Sequence, residues 1–454
     1  MLSMAGVGPI AYGQAPRIRE IVDSALQRDH RLINQQLEVG ETRIDEQKLR
    51  ESSLPRVSID AADAFLYSAF NIKGKEVNIP ELNVDIKEGS NRFTMTNQLA
   101  TVTARTSVLL YSGGKIPQLR KALASKERAQ TEIMESDRQQ IIYNILATYD
   151  LLALLRQTRR VLDESGRRLD VNKQTADKAL GYGLITKYEH QKIEVAIAQL
   201  ASRIEDYTGR KEVVEENLFL LTGIDRARIA LVQDSLLLIE GVPASGVGIA
   251  GRAELRALDA SIVAAKYNLG AQKTWFVPKV EAVSSAGWLG LLNGHLSSNK
   301  PVGPAGNLSV SFPNFNVLPL FSIGVGMKWD VFDGKVGRRD VQKAELDIRK
   351  VENQRQQAVE DLELNLAKCR SDLASAVSKV ALLRTQRQTA GNALDQATKE
   401  FRTGLIRTTQ LVQAEEDMQN ADLGLIQAIY NQRRAAVALL EATGTLTLDA
   451  LSIP

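Results

Sequence analysis

The stretch GYGLITKYEHQK, residues 181–192, has a counterpart in FRTGLIRTTQLVQ, residues 401–413. Each contains the tripeptide GLI, which begins at Gly183 in the first copy and at Gly404, 221 residues later, in the second. Each of these glycines is followed 40 residues later by the glycine of a Thr-Gly pair. Two turn signals at the same spacing, each before a long run rich in Ala, Gln and Leu, indicate that the chain is built twice.

Two further landmarks recur in the same order. PRV at residues 55–57 is matched by PKV at 278–280, and LLYSGGK at 109–115 is matched by DVFDGK at 330–335. The near-constant offset predicts a tandem structural repeat, with repeat 1 at residues 16–240 and repeat 2 at residues 241–454. Residues 1–15 lack a basic region, so we interpret them either as the remnant of a signal peptide or as a disordered N-terminus.

Glycine and proline divide each repeat into the same series of elements. Repeat 1 is predicted to contain an initial helix, strands at 54–70 and 96–111, a long helix at 115–181, a tip turn at 182–186, a helix at 186–222 and an equatorial segment at 223–240. Repeat 2 is predicted to contain a helix at 252–273, strands at 274–287 and 320–332, a long helix at 337–402, a tip turn at 403–407, a helix at 407–443 and an equatorial C-terminal segment. Polar residues 71–95 and Gly-rich residues 288–319 are predicted loops.

The strands have the pattern of a transmembrane barrel. Apolar residues from Phe321 to Val331 alternate with polar residues and glycine, and the same period of two runs from Ala100 to Leu110. Alternation over ten or more residues exceeds most globular strands and matches strands that are apolar toward lipid and polar toward a lumen. Aromatic residues lie near the strand ends, as at a membrane interface: Tyr111, Trp275, Trp329 and Phe332. The charged residues predicted to face the lumen are Arg105, Lys279, Glu281, Lys328 and Asp330.

The helices carry heptad spacing. From Leu411 to Ala442 one apolar seam advances in steps of three and four, and the same seam occurs 221 residues earlier. The two predicted long helices, of 67 and 66 residues, would each span roughly 100 Å. The helix that returns from each tip is about half as long, so a further short helix is needed to cover the remainder. One full-length helix beside two shorter ones is the arrangement of a long cylindrical wall.

Barrel strands in hydrocarbon must close, because an open edge leaves backbone groups unpaired. Four strands per chain cannot close around a pore, since about eight is the smallest practical barrel. The predicted fold is therefore an α+β membrane protein in which three chains form a 12-stranded β-barrel continued by a long α-helical coiled-coil barrel. No stretch of 18 apolar residues occurs, so a transmembrane helix is excluded.

No enzyme function is predicted. The single cysteine, Cys369, lies in a helical run and is interpreted as a packed residue, and the three histidines lack the spacing of metal ligands. SGGK at 112–115 lacks the spacing of a phosphate-binding loop. Glu415, Glu416 and Asp417 are predicted to form a solvated helix face. We expect no cofactor, no metal and, at a net charge of +3, no nucleic acid.

The chain resembles the TolC-like outer-membrane efflux protein family over nearly its whole length. The resemblance is carried by the two GLI turns, the two Thr-Gly pairs, and the strand exits LLYSGGK and WDVFDGK. It implies a homotrimer in the outer membrane of a Gram-negative bacterium that extends into the periplasm. It further implies an exit duct for a tripartite efflux pump or a type I secretion system, with a periplasmic adaptor and an inner-membrane transporter as partners.

The resemblance also implies roles at the turns. The tip residues that would dock the adaptor are Gly183, Leu184, Ile185, Thr186, Gly404, Leu405, Ile406 and Arg407. The positions six and nine residues after each turn glycine, acidic in this family, would form the tip constriction and are Glu189, Lys192, Gln410 and Gln413. Only Glu189 is acidic, which argues against a strongly anionic gate. Glu189 could instead be a first-turn acid favoured by the helix dipole, and the Leu-Ile pairs could pack against neighbouring hairpins.

Two other functions fit parts of the pattern. A soluble periplasmic coiled-coil adaptor would have one helical hairpin flanked by compact β-domains, whereas this chain has two hairpins and strands long enough to cross a membrane. A cytoplasmic structural coiled coil would leave the alternation from Phe321 to Val331 unexplained.

Overall fold

A computed structural model describes residues 15–74, 77–79, 84–86, 89–242, 246–302 and 306–448. The predictions for residues 1–14 and for the last residues of the equatorial C-terminal segment lie outside this part of the chain. Among the described helices, none combines the length and the hydropathy needed to cross a membrane. The chain divides into a helical unit, Met1–Thr42, Ser125–Val263 and Ile348–Pro454, and a sheet unit, Arg43–Ala124 and Ala264–Asp347.

The described helices are two long helical hairpins and several shorter helices. Their bounds are α1 Ile18–Arg28, α2 His30–Glu51, α3 Lys115–Gly181, α4 Lys187–Thr222, α5 Arg226–Ile229, α6 Ala253–Gln272, α7 Val336–Arg402 and α8 Thr408–Ala442. Helices α3 and α7 each contain 67 residues, and α4 and α8 contain 36 and 35. Corresponding helices of the two hairpins, α3–α4 and α7–α8, therefore have nearly equal lengths, as the matching glycine positions in the sequence predict.

The core of the helical unit lies along the predicted heptad seams. Leu411, Ala421 and Leu439 of α8 are at most 1% exposed, as are Ile193 and Leu218 of α4. The largest buried cluster combines residues of α1, α3, α4, α7 and α8. The residues of the predicted seams are therefore buried in both hairpins, and this burial is what holds the long, otherwise polar helices together.

The sheet unit contains long antiparallel strands. Their bounds are β1 Arg56–Gly74, β2 Val77–Ile79, β3 Val84–Ile86, β4 Gly89–Tyr111, β5 Lys279–Pro301, β6 Asn307–Ser311 and β7 Phe315–Lys328. In the main sheet β1 pairs with β4, β4 with β5, and β5 with both β7 and β6. The pairing of β1 with β4 runs without a register shift from Arg56↔Ser107 to Gly74↔Gly89, so these two strands define the two faces of the sheet.

The strands reach much further than the sequence predicted. The predicted loop at 288–319 is largely occupied by β5, β6 and β7, because Gly290 and Gly294 lie within β5 at points of close approach; Gly306, with φ of 89°, does serve a turn. A Cβ on Gly290 would lie 2.6 Å from Trp288, and one on Gly294 would lie 2.7 Å from Asn97 Oδ1. At the other end β5 begins at Lys279 and not at residue 274. Hydrogen-bonded turns fill 274–277, and Pro278 has no backbone N–H.

Candidate functional site

The two hairpin tips share one backbone geometry. Gly183 and Gly404 have φ of 70° and 76°, a region that favours glycine. Gly183 N–H donates to the carbonyl of Leu180 and Leu184 N–H donates to that of Ala179, at 3.0 and 2.8 Å. The second tip repeats both bonds, from Gly404 to Phe401 and from Leu405 to Glu400, at 3.0 and 2.9 Å. These are the paired bonds of a Schellman cap, so both glycines are required by helix termination.

The Leu-Ile pair that follows each tip glycine is divided between solvent and core. Leu184 and Leu405 are 76% and 77% exposed. Ile185 and Ile406 are half-buried and pack on a cluster contributed by both hairpins: Ala176, Ile193, Leu394, Phe401 and Leu411. The prediction that all four residues form the docking surface therefore needs refinement. Only the leucines project from the tips, while the isoleucines join the two hairpins.

The position six residues after each tip glycine is a helix-capping position. Glu189 Oε2 accepts a hydrogen bond from Thr186 N–H at 3.1 Å, and Thr186 Oγ1 accepts one from Glu189 N–H at 3.2 Å, which forms a capping box. In the second hairpin Gln410 Oε1 accepts from Arg407 N–H at 3.0 Å. The reciprocal bond is impossible there, because an arginine side chain has no acceptor. Glu189 and Gln410 therefore accept the same capping hydrogen bond from the N-cap backbone N–H, which explains why either residue type fits this position.

The position nine residues after each tip glycine lies one turn further along. Lys192 is half-buried, and its Nζ lies 5.3 Å from the ring centroid of Tyr188, within cation–π range. Gln413 is exposed and donates to Asp417 at 3.0 Å. Neither position carries an acidic residue, so Glu189 is the only carboxylate among the four predicted constriction residues. Its oxygen is already engaged by the cap.

The capping box gives a prediction that separates its structural role from a gating role. Thr186→Ala removes the side-chain acceptor and should reduce the stability of the first hairpin by about 1 kcal/mol. Glu189→Gln keeps an acceptor at the cap and removes the charge, so the thermal midpoint should change little. Thermal unfolding of these two variants and of Glu189→Ala, which lacks the acceptor, checks this by helical circular dichroism. A Glu189→Gln midpoint as low as that of Glu189→Ala would show that the carboxylate charge itself stabilises the tip.

Behind the tips, a buried carboxylate connects the two hairpins. Glu415 on α8 is 2% exposed and accepts hydrogen bonds from Ser165 Oγ and Arg168 Nε on α3, both at 2.9 Å. The prediction of a solvated acidic face is wrong for Glu415. It lies four residues after the buried Leu411 and so shares the inward face of the helix, a signal that helical periodicity could have supplied.

A second buried polar group lies deeper in the helical unit. Arg433 on α8 makes two hydrogen bonds to Asp150 on α3, both at 2.8 Å, and a third to the carbonyl of Leu237 at 2.7 Å. Beside it, Gln432 exchanges hydrogen bonds with the N–H and C=O of Ile239. Burial raises the pKa of the Tyr149 phenol, and its hydrogen bond to Asp234 raises it further. Side chains of α3 and α8 therefore fix the segment that follows α5.

The described residues contain no group of three or more His, Cys, Asp and Glu side chains placed to hold a metal ion. Cys369 is 8% exposed and packs in the main core cluster, which confirms its prediction as a packed residue. Burial raises the pKa of its thiol, which lowers the fraction present as the nucleophilic thiolate.

Four of the five charged residues predicted to face a lumen lie on one face of the sheet. The row Ser58, Arg105, Ser285 and Ser322 is joined directly by the strand register, and this side is termed the Arg105 face. Lys279 and Lys328 are paired opposite each other on it, and Glu281 is two residues along β5. Asp330 lies beyond the end of β7. The opposite side, termed the Val102 face, carries Val102, Ala104, Ala286, Phe321 and Ile323.

The sequence of residues 248–445 matches the family described as Outer membrane efflux protein. The outer membrane efflux protein BepC of Brucella suis is 26% identical over 384 residues, which cover 81% of this chain and 77% of BepC.

Solved structures share the fold. The outer membrane protein VceC from Vibrio cholerae matches with a TM-score of 0.69 at 17% identity, over 94% of this chain and 96% of VceC. The CmeC outer membrane channel of Campylobacter jejuni matches with a TM-score of 0.69 at 14% identity, over 98% of this chain and 93% of CmeC. At such low identity the structural likeness supports the fold, and the sequence matches support the family.

Proposed function

We propose that this chain, identified by these matches as a member of the TolC-like outer-membrane efflux protein family, is the exit duct of an export system that spans two membranes. Its location follows from that family: the Gram-negative outer membrane, with an extension into the periplasm. The duct would be a passive conduit with no catalytic role. Energy and the choice of cargo would come from an inner-membrane transporter, reached through a periplasmic adaptor.

The observation that carries the proposal is the exposed apolar face of the sheet. On β7 the side chains of Phe321, Ile323, Val325 and Met327 are 64–79% exposed, although a water-soluble protein would bury such a row. They stand on the Val102 face, opposite the charged Arg105 face. An apolar face toward lipid and a polar face toward a lumen is the division that a transmembrane barrel requires.

Closure of that barrel supports a trimer. Among the described strands, β1 pairs only with β4, and β7 pairs only with β5, so both ends of the four-strand series are edges. Hydrocarbon contains no water to satisfy these backbone groups. Pairing β1 of one copy with β7 of the next would remove every edge. Three copies would then give a 12-stranded barrel, large enough to leave an aqueous lumen.

The hairpin tips are the proposed docking sites for the adaptor, with the exposed Leu184 and Leu405 as their apolar contacts. A trimer would present six tips of two kinds. A soluble adaptor is the second candidate function, but the exposed apolar row on β7 disfavours it, as does the presence of two hairpins. The partner system, a tripartite efflux pump or a type I secretion system, is decided by the adaptor that the tips bind.

Fractionation and mass measurement test the proposal. The protein should sediment with outer membranes, and the species extracted in detergent should have three times the mass of the 49.9 kDa chain after correction for bound detergent. Strand pairing between copies should make that species resistant to dissociation at room temperature. Recovery of a water-soluble monomer from the periplasm would overturn the proposal of an exit duct and favour the soluble adaptor.

A further inference from the structure

The Val102 face becomes polar and basic toward one end of the strands. β1 follows α2 and β4 precedes α3, so the opposite ends of these two strands are the outer ends of the proposed barrel. The register of β1 with β4 never shifts, so the same face can be followed from the helices to the outer end. The outer patch, as this part of the Val102 face is termed, consists of Tyr67, Lys73, Arg92, Thr94, His295 and Ser297.

The outer patch lies on the open side of the sheet. Arg92 is exposed and Tyr67 is 61% exposed. On the opposite side of the same strands, Asn91, Phe93 and Ser298 are only 5–6% exposed. A curved sheet covers its concave side, so the outer patch is on the convex side. In the proposed barrel the convex side is the one that faces lipid.

The outer patch carries a positive charge. Lys73 and Arg92 are diagonal neighbours across the β1–β4 pair, with their Cβ atoms about 7–8 Å apart. Both side chains are exposed, and neither forms an ion pair with a residue that the structure describes. The described strand segments around them contain no Asp or Glu: 66–74, 89–99, 289–301 and 307–311.

Carboxylates occur on either side of the outer patch. Asp63, on the same face nearer the helices, accepts hydrogen bonds from Gln98 Nε2 at 2.8 and 3.0 Å, and Gln98 Oε1 accepts one from Asn293 at 3.0 Å. Asp63 precedes Lys73 by ten residues of β1, which is about 33 Å of strand. The connection at 75–88 contains four carboxylates and two lysines, and its described carboxylate, Asp85, lies on the separate sheet of β2 and β3. The strand face between these acidic regions keeps its two cations.

Hydroxyl and imidazole groups lie next to the cations. Thr94 Oγ1 and Ser297 Oγ are 2.7 Å apart, and His295 Nδ1 lies 3.4 Å from Ser311 Oγ. A hydroxyl donates and accepts at the same time, so this group retains capacity for further hydrogen bonds. Tyr67 adds an aromatic ring with a polar tip. Cations beside hydroxyls and an exposed ring can bind a phosphate and the sugar that carries it.

From this arrangement we propose that the outer patch binds the phosphorylated saccharide head group of a glycolipid in the outer leaflet of the membrane. The proposal rests on the proposed duct, which places the Val102 face against lipid. The outer leaflet of a Gram-negative outer membrane consists largely of lipopolysaccharide, whose head group has this chemistry. Arg92 and Lys73 would bind its phosphate, and Thr94, Ser297 and Tyr67 would contact its sugar. The apolar part of the same face would contact its acyl chains.

Native mass spectrometry of the detergent-extracted protein, titrated with lipopolysaccharide trimmed to lipid A and inner core, tests the outer patch. The unmodified protein should retain the glycolipid. Lys73→Gln with Arg92→Gln should weaken binding at least about tenfold, because two charge-assisted contacts are lost. The matched control, Arg105→Gln with Lys328→Gln, makes the same charge change on the other face. Its affinity should stay within about twofold, because distant exposed charges are screened.

Two further measurements identify the head group. Dephosphorylated lipopolysaccharide should bind the unmodified protein as weakly as intact lipopolysaccharide binds the Lys73→Gln, Arg92→Gln variant. This measurement needs no substitution, so it holds even where a variant fails to assemble. Thr94→Val with Ser297→Ala keeps both charges and removes the hydroxyl pair. It should weaken the binding of lipopolysaccharide and leave the binding of phosphatidylglycerol vesicles unchanged.

The outcomes separate this proposal from the duct. Equal binding of intact and dephosphorylated lipopolysaccharide overturns the outer patch, as does an equal loss of affinity in the Arg105→Gln, Lys328→Gln control. Phosphatidylglycerol that binds as tightly as lipopolysaccharide overturns the saccharide ligand. The same spectra give the mass of the protein. A trimer that retains no glycolipid counts against the outer patch alone, whereas a monomer counts against the proposed duct.

Discussion

Arg433→Met should destabilise the helical unit by about 3–5 kcal/mol, the largest stability effect that we expect from a single substitution in this chain. The substitution leaves the Asp150 carboxylate in the core without its partner, because the Arg433 and Asp150 side chains are only 10% and 5% exposed. It also frees the carbonyl of Leu237, which accepts from Arg433 at 2.7 Å. The Asp150 carboxylate is buried in the folded state, so its two lost hydrogen bonds are not replaced by water.

The measurement is guanidinium unfolding of the detergent-solubilised protein, followed by helical circular dichroism. Arg355→Met is the matched control, because Arg355 is also paired with an aspartate on another helix, Asp259, but both side chains are well exposed. Its midpoint should be indistinguishable from that of the unmodified protein. Adding Asp150→Leu to Arg433→Met removes the stranded charge and should recover part of the loss. If Arg433→Met alone is no less stable than the Arg355→Met control, the buried pair contributes nothing to the free energy of unfolding.

Much of the helical architecture could be predicted because it depends on local signals. Glycines at the tips end helices through positive φ, and the apolar seam repeats every seven residues, so both hairpins and their shared face follow from spacing. The alternation from Phe321 to Val331 likewise predicted a strand, and most of it lies in β7. These features are decided by residues close in sequence, within one helical turn or one strand pair.

The remaining features depend on register between distant segments. Glycine-rich residues 288–319 are typical of a loop in sequence, yet Gly294 lies in strand β5, where a Cβ would be only 2.7 Å from Asn97 Oδ1 on the neighbouring strand. The charged and apolar faces of the sheet can be assigned only once Arg105 is known to lie opposite Ser58 and Ser285. Charged residues that enter a core, such as Arg433, are recognised only when their partner, 283 residues away, is located. Periodicity predicts which face of a helix or strand a residue lies on, but it does not identify the distant residue that contacts it.

Replacing Leu184 and Leu405 together by aspartate should reduce export at least about tenfold while leaving the proposed trimer intact. Each leucine is more than three-quarters exposed at a tip, so its loss removes no core packing. A partner that buries such a side chain would lose about 2 kcal/mol or more per site, and the aspartate adds an unpaired charge to the interface. Because a trimer repeats both tips three times, the losses accumulate, and export should fall at least about tenfold.

The test measures export in cells that lack the unmodified gene, together with cross-linking of the adaptor to the tips. Thr409→Asp is the control, since it adds a carboxylate to the first turn of α8, where the helix dipole favours one, and leaves both leucines in place. Ile185→Ala with Ile406→Ala provides the opposite contrast. These isoleucines pack between the hairpins, so the variant should lower the thermal midpoint before it weakens docking. If the leucine variant exports and cross-links normally, the partner contacts another surface, and the tips exist to close the hairpins.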